Sequence, residues 1–248
     1  MNVWDITPLL LLLLFGLALG FGAGFIALVV RLSGRRSPVG PVVESTPTVL
    51  IREPDTFVPR PGCWLAVKSS NVLAVQAALG LHNPKPCSWL EGLATDPKLF
   101  ISPPIRGWIL VIGSGVPEPS EDVDACFRFV LEVSRKLGRV QLFSSSRILM
   151  HHAWVWADGG RIVRAYAWAG RTIWNQGDRT SVERELGMRC YDYMDALARV
   201  TFGQPDAISQ NVEKVPQLAA RWSLDPAGID ERLLEQGQGI AGEPSRRY

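Results

Sequence analysis

An α+β fold, a single transmembrane helix followed by a helix-on-sheet sandwich with a mainly antiparallel sheet, is the class this chain predicts, and three observations predict it. A long uncharged stretch opens the 248-residue chain, short apolar runs alternate with amphipathic ones after it, and two consecutive runs near residue 159 read as a hairpin. Four segments follow: residues 1–36 as anchor and basic flank, 37–61 as a Pro-rich tether, 62–204 as the globular domain, and 205–248 as a polar extension.

Ile6 to Val30 runs without a charge and includes the leucines from Leu9 to Leu14. At about 1.5 Å per residue such a helix reaches roughly 37 Å, enough for a hydrocarbon core of about 30 Å with some tilt. A cleaved signal peptide is the competing reading. It would carry positive charge before a shorter apolar run, whereas Asp5 precedes this one and Arg31, Arg35 and Arg36 follow it. Because Lys and Arg collect on cytoplasmic flanks, the expected placement is the inner (cytoplasmic) membrane, single-pass, N-terminus outside and C-terminal domain cytoplasmic. Gly16, Gly20 and Gly24 share one helical face, a spacing that permits close helix–helix contact and self-association in lipid. The competing view is that glycine is common in membrane helices.

From Ser37 to Pro61 the prolines at 38, 41, 47, 54, 59 and 61 favour an extended tether. The segment TVLIR, Thr48 to Arg52, is the alternative there as an edge strand. Cys63 to Val67 reads as a buried strand. A helix capped by Ser70 or Asn71 follows, with Val72, Val75 and Leu79 as its stripe and Gly80 as its stop. Ser88 to Leu93 suits one helical turn, and Leu99 to Ser102 and Trp108 to Ile112 suit strands. Val123, Cys126, Phe127, Val130, Leu131 and Leu137 then mark an amphipathic helix closed by Gly138, and Val140 to Phe143 gives another strand.

His152 to Ala157 and Arg161 to Ala169 form the expected hairpin. With a three-residue loop, Asp158 to Gly160, Trp156 faces Ile162, Trp154 faces Arg164 and His152 faces Tyr166. Large side chains, Trp168 included, then share one face and small ones the other, whereas a two-residue loop would mix the faces. Thr180 and Glu183 have capping-box spacing, opening a helix that stops at Gly187 or continues to Val200. Val215 to Trp222 suits a short docking helix, and Leu234 to Tyr248 is expected to be disordered.

Composition excludes several function classes. A net charge of +2 provides no field for nucleic acid, so no nucleic-acid partner is expected. Cys63, Cys87, Cys126 and Cys190 are widely spaced, without a C-x-x-C pair, and read as four free thiols in a reducing compartment. No cofactor or metal is expected. Gly113-Ser114-Gly115 lies between a strand and a helix like a dinucleotide turn, but Glu118 replaces the third glycine and acids crowd the helix start where phosphate needs positive potential.

His151 and His152 point to opposite faces of a strand, so at most one belongs to a site. His152 beside Trp154, Arg164, Tyr166 and Trp168 makes a candidate ligand or partner surface, with the imidazole as general base and the guanidinium binding an anion. Ordinary packing of aromatics and an arginine stem on a sheet face is the plainer reading of the same residues. His82 has no identifiable partner.

The stretches GWILVIGSGVP, RKLGRVQLFSSSR, HHAWVWADGGRIVRAYAWAGRTIWNQG and ERELG resemble a group of uncharacterised bacterial α/β domain proteins with no assigned activity. The resemblance covers roughly residues 62 to 193. It implies one bacterial domain and carries no mechanism or catalytic residue. Two functions are expected from different classes. The first is a non-catalytic protein-interaction module at the cytoplasmic membrane face, for example of the immunity kind that binds and neutralises an unidentified protein partner. Eight tryptophans outside the anchor suit it, because Trp, Tyr and Arg dominate interfaces. The second is a membrane-tethered small-molecule enzyme of hydrolase type using His152 and Arg164.

Overall fold

Strand β1, Cys63–Val67, explains how the domain is layered, because its residues are apolar without alternation and both of its sides are covered. Leu65 and Val67 enter one hydrophobic core, Trp64 and Ala66 a second on the opposite face of the sheet. The computed structural model describes residues 61–94, 98–194 and 207–244. The expected transmembrane helix, Gly16, Gly20 and Gly24, the Pro-rich tether and the possible TVLIR strand lie outside them. Among the described residues no helix is long and apolar enough to cross a membrane.

After β1 the chain forms helix α1 (Val72–Leu79), strand β2 (Leu81–Ser88), helix α2 (Trp89–Ala94) and strands β3 (Leu99–Ile101) and β4 (Ile109–Ile112). Helix α3 (Val123–Leu137), strands β5 (Val140–Ser146), β6 (His151–Asp158), β7 (Arg161–Ala169) and β8 (Thr172–Gln176), and helices α4 (Ser181–Glu185), α5 (Ala207–Trp222) and α6 (Glu231–Gln236) follow. Strand β9 (Gln238–Pro244) comes last. The nine strands form one sheet in the order β2-β9-β3-β4-β1-β5-β6-β7-β8, and every pairing between them is antiparallel. A large, mainly antiparallel sheet in a mixed α+β domain is therefore what the sequence builds.

Helices α1 and α3 cover one face through Val75, Leu79, Phe129, Val130 and Val133. Helices α2, α4, α5 and α6 supply Trp89, Val182, Val215, Leu218 and Leu234 to the other face. The result has three layers. Asn71 caps α1 and Asp122 caps α3, each accepting from a backbone N–H three residues on. Helix α4 ends at Glu185, within the shorter of its two expected extents.

Three strands escaped the sequence reading. Strand β2 contains Pro84 and Pro86, which remove ladder donors, and it accordingly lies at a sheet edge with a register shift between His82 and Lys85. Strand β8 forms the opposite edge. There the Asn175 N–H donates to the Tyr193 hydroxyl at 2.8 Å and that hydroxyl donates to the Asn175 carbonyl at 3.3 Å, so a side chain occupies backbone groups that another strand would use. Strand β9 overturns the expectation of disorder beyond Leu234. It lies between β2 and β3, and a Cβ on Gly239 would come within 2.4 Å of the Ile101 carbonyl oxygen. Glycine and polar residues make this strand look unstructured in one dimension, yet they are what let it fit between two neighbours. Residues 207–244 are thus part of the domain rather than an extension, and α5 starts eight residues before the expected Val215.

Candidate functional site

The β6–β7 hairpin has a different register from the expected one, and its faces are nevertheless sorted as expected. Asp158 pairs with Arg161 across a two-residue turn, which alone would mix large and small residues. A bulge then intervenes between Trp156 and Ala157, leaving Val163 as the extra residue on β7. Trp156 consequently faces Arg164, Trp154 faces Tyr166 and His152 faces Trp168. The turn and the bulge each shift parity once, so the two cancel. Ala153, Val155, Ala165 and Ala167 go to the α1/α3 core, and Trp154, Tyr166 and Trp168 to the other.

The structure brings His152, Trp154, Arg164, Tyr166 and Trp168 together as read from the sequence, but as interior, not as surface. None of the five is more than 1% exposed. The His152 ring stacks at 5.7 Å on Trp154 and 5.8 Å on Trp168, within 12° of parallel in both cases. Its environment fixes its proton. The Asn211 amide accepts from the Arg189 N–H at 3.0 Å and donates to the Arg189 carbonyl at 2.6 Å, so its nitrogen is also what faces His152 Nε2 at 3.2 Å. Nε2 therefore accepts and the neutral ring carries its proton on Nδ1, which has no hydrogen-bond partner. Burial, with a smaller contribution from His151, pulls the His152 pKa down to about 3. A base whose lone pair is already engaged inside a core cannot collect a substrate proton.

Arg164 is similarly committed. Its Nε donates to Glu183 at 2.9 Å, one terminal nitrogen reaches Asn175 Oδ1 and the carbonyls of Ala165, Gln176 and Gly177, and the other reaches Cys190 Sγ at 3.1 Å. At 1% exposure, with these bonds directed into the core, the guanidinium presents no open side to an anion. Glu183 is the residue the sequence reading undervalued. Its Oε2 completes the capping box with Thr180, while its Oε1 accepts from both Arg164 and the Trp154 indole at 2.8 Å. One carboxylate thereby ties α4 to two strands. Tyr166 accepts from the Tyr191 N–H at 3.2 Å, extending the same network to the segment after α4.

The opposite histidine, His151, has a separate partner. Its Nε2 is 2.6 Å from Glu118 Oε1, and the Ser144 hydroxyl donates to that same oxygen at 2.6 Å. The His151 hydrogen bond, with a smaller one from Ser144, holds the Glu118 carboxyl below its ordinary pKa despite partial burial. These residue types suggest a nucleophile relay, but the carboxylate sits between hydroxyl and imidazole. The hydroxyl and imidazole both end on Glu118 rather than on each other, and Ser144 is fully buried, so the cluster fastens the β4–α3 loop to the sheet. The Gly113-Ser114-Gly115 turn belongs to the same loop. A Cβ on Gly115 would approach the Lys98 carbonyl oxygen to 2.6 Å, so close strand packing accounts for that glycine.

All four cysteines are free thiols. Burial raises the pKa of Cys126 and of Cys190 to about 12 and that of Cys63 well above its usual value, which makes them poor nucleophiles. Among the described residues no group of three or more His, Cys, Asp or Glu side chains is placed to hold a metal ion. A groove of about 340 Å³ over the β2–β9 edge, lined by Asn83, Lys85, Lys98 and Glu243, is remote in sequence from the hairpin residues, and its Lys98 is paired with Glu243 at 3.2 Å.

Fold and site together define a mixed α+β protein with a closed aromatic and ionic core where a ligand surface was expected. Comparison of the chain with protein-family models, curated proteins and solved structures finds no match.

Proposed function

We propose that the chain is a single-pass inner-membrane protein holding a non-catalytic protein-interaction domain at the cytoplasmic face, of the immunity kind that binds and occludes another protein. The reading keeps the bacterial setting implied by the resemblance, with the bilayer as one partner and Gly16, Gly20 and Gly24 as the self-association face. The observation that supports it best is the commitment of His152 and Arg164 to the core, which removes the residues on which the hydrolase alternative rests. What the domain offers outward is helix surface and turns. Leu90 and Leu233 are 52% and 42% exposed on α2 and α6, two helices that touch. Apolar residues on adjoining helices suit a partner helix or loop.

A photo-crosslinking residue placed at Leu90 or at Leu233 of the full chain, in its own membrane, tests the reading. Both positions should yield the same discrete protein adduct, and Leu73 on the opposite layer should not. Absence of any adduct, combined with hydrolytic turnover that disappears in His152→Gln, would replace it with the enzyme reading.

A further inference from the structure

The β5–β6 turn carries two adjacent, strongly exposed apolar side chains. Ile148 is 94% exposed and Leu149 is 72% exposed. Their presentation is built rather than incidental. The Leu149 N–H donates to the Ser146 hydroxyl at 3.1 Å, Met150 adopts a left-handed backbone with φ 52° that a non-glycine residue rarely takes, and Arg147 is held back onto α5 by Glu213. Two adjacent branched apolar side chains in water at the tip of a fixed turn suit an apolar partner.

The position of the turn indicates which one. Ser145 donates to the Gly62 carbonyl at 2.8 Å and Cys63 pairs with Ser144, so the chain enters the domain next to this turn. Residues 1–60 precede that entry and include the uncharged stretch from Ile6 to Val30. The tip thus lies at the end of the domain where the chain enters, and for a domain tethered to a bilayer through that end a small apolar contact is enough to select an orientation. Because Arg147 already has Glu213 as its counter-ion, the contact is apolar rather than electrostatic.

We propose that Ile148 and Leu149 form a bilayer-contacting tip that dips into the interfacial region and orients the domain on the membrane. The proposal rests on the membrane-anchored reading above. Its test uses the full chain reconstituted in phosphatidylcholine vesicles, with an environment-sensitive fluorophore on Ile148→Cys and, as control, on Leu73→Cys; both positions are far more exposed than any of the four native cysteines, which keeps labelling selective. The probe at 148 should shift to the blue and be quenched several-fold more by nitroxide-bearing lipid than the probe at 73, with no dependence on salt, and Leu149→Asp should abolish the difference without changing the circular dichroism. Equal quenching at 148 and 73 in vesicles that retain the chain after carbonate extraction overturns the tip and leaves the anchor standing. A shift lost on diluting the chain in lipid assigns the tip to a second copy and also overturns the proposal. A chain that fails to float with the vesicles overturns both readings.

Discussion

Removing the carboxylate of Glu183 should be among the most damaging single changes available in this domain. Glu183→Ala leaves the Arg164 guanidinium, 1% exposed, without its counter-charge, and strands the Trp154 indole N–H and the two Thr180 donors as well. Breaking one side of a buried ion pair costs about 3–5 kcal/mol. Loss of the carboxylate half of the capping box, with the Thr180 cap itself retained, adds at most about 1 kcal/mol, which makes roughly 5 kcal/mol a fair expectation for the whole. For a domain of this size each kcal/mol lowers the melting temperature by about 2–4 °C, so a fall of roughly 10–20 °C should follow. Urea unfolding of the full chain in mild detergent, followed through tryptophan emission, measures it directly. The double variant Arg164→Met/Glu183→Met should be less destabilised than Glu183→Ala, because no charge is then buried alone. A cost below about 1 kcal/mol for Glu183→Ala would refute the reasoning, since a pair worth so little belongs on a surface.

Three further outcomes are expected. His152 has a folded pKa of about 3 against 6.5 for the free side chain, so the unfolded chain binds the extra proton first; stability should be full above about pH 6.5 and fall by roughly 1.4 kcal/mol per pH unit below it, a slope that His152→Gln should remove when urea midpoints are compared across pH. Glu118, also held low, loses stability in the same direction but in the more acidic window below its ordinary carboxylate value. Gly239→Val should displace β9 from between β2 and β3 at a cost of at least about 1–3 kcal/mol, and limited proteolysis should then cut within 237–244; resistance equal to that of the unaltered chain would contradict the interior placement of β9. Cys126 should react slowly with an aromatic disulfide reagent at neutral pH and completely after unfolding; rapid labelling of Cys126 in the folded chain would count against its burial on α3 beside Asp122 and Glu118.

Local signals carried far in this chain. The spacing of Val123, Cys126, Phe127 and Val130 defined a helix, Thr180 and Glu183 a capping box, and the runs at 63–67, 109–112 and 161–169 strands, because apolar period and capping chemistry act within a few residues. The segregation of Trp154, Tyr166 and Trp168 from the alanines was also visible. The pairing behind it was not, because a bulge is settled by cross-strand contacts that no spacing along one strand records.

Tertiary structure alone decided the rest. Whether an aromatic face is a pocket or a core depends on what covers it, and here α4, α5 and the segment after α4 do so from far along the chain. That coverage turned His152 and Arg164 from candidate chemistry into packed and enclosed groups, and made Glu183 a junction rather than only half of a capping box. The glycine-rich β9 was likewise invisible in one dimension, since its stability comes from the two strands beside it rather than from its own hydropathy. Sequence by itself determined the residue pattern and the uncharged N-terminal stretch, which are local; burial, partners and strand order are properties of residues distant in the chain and close in space.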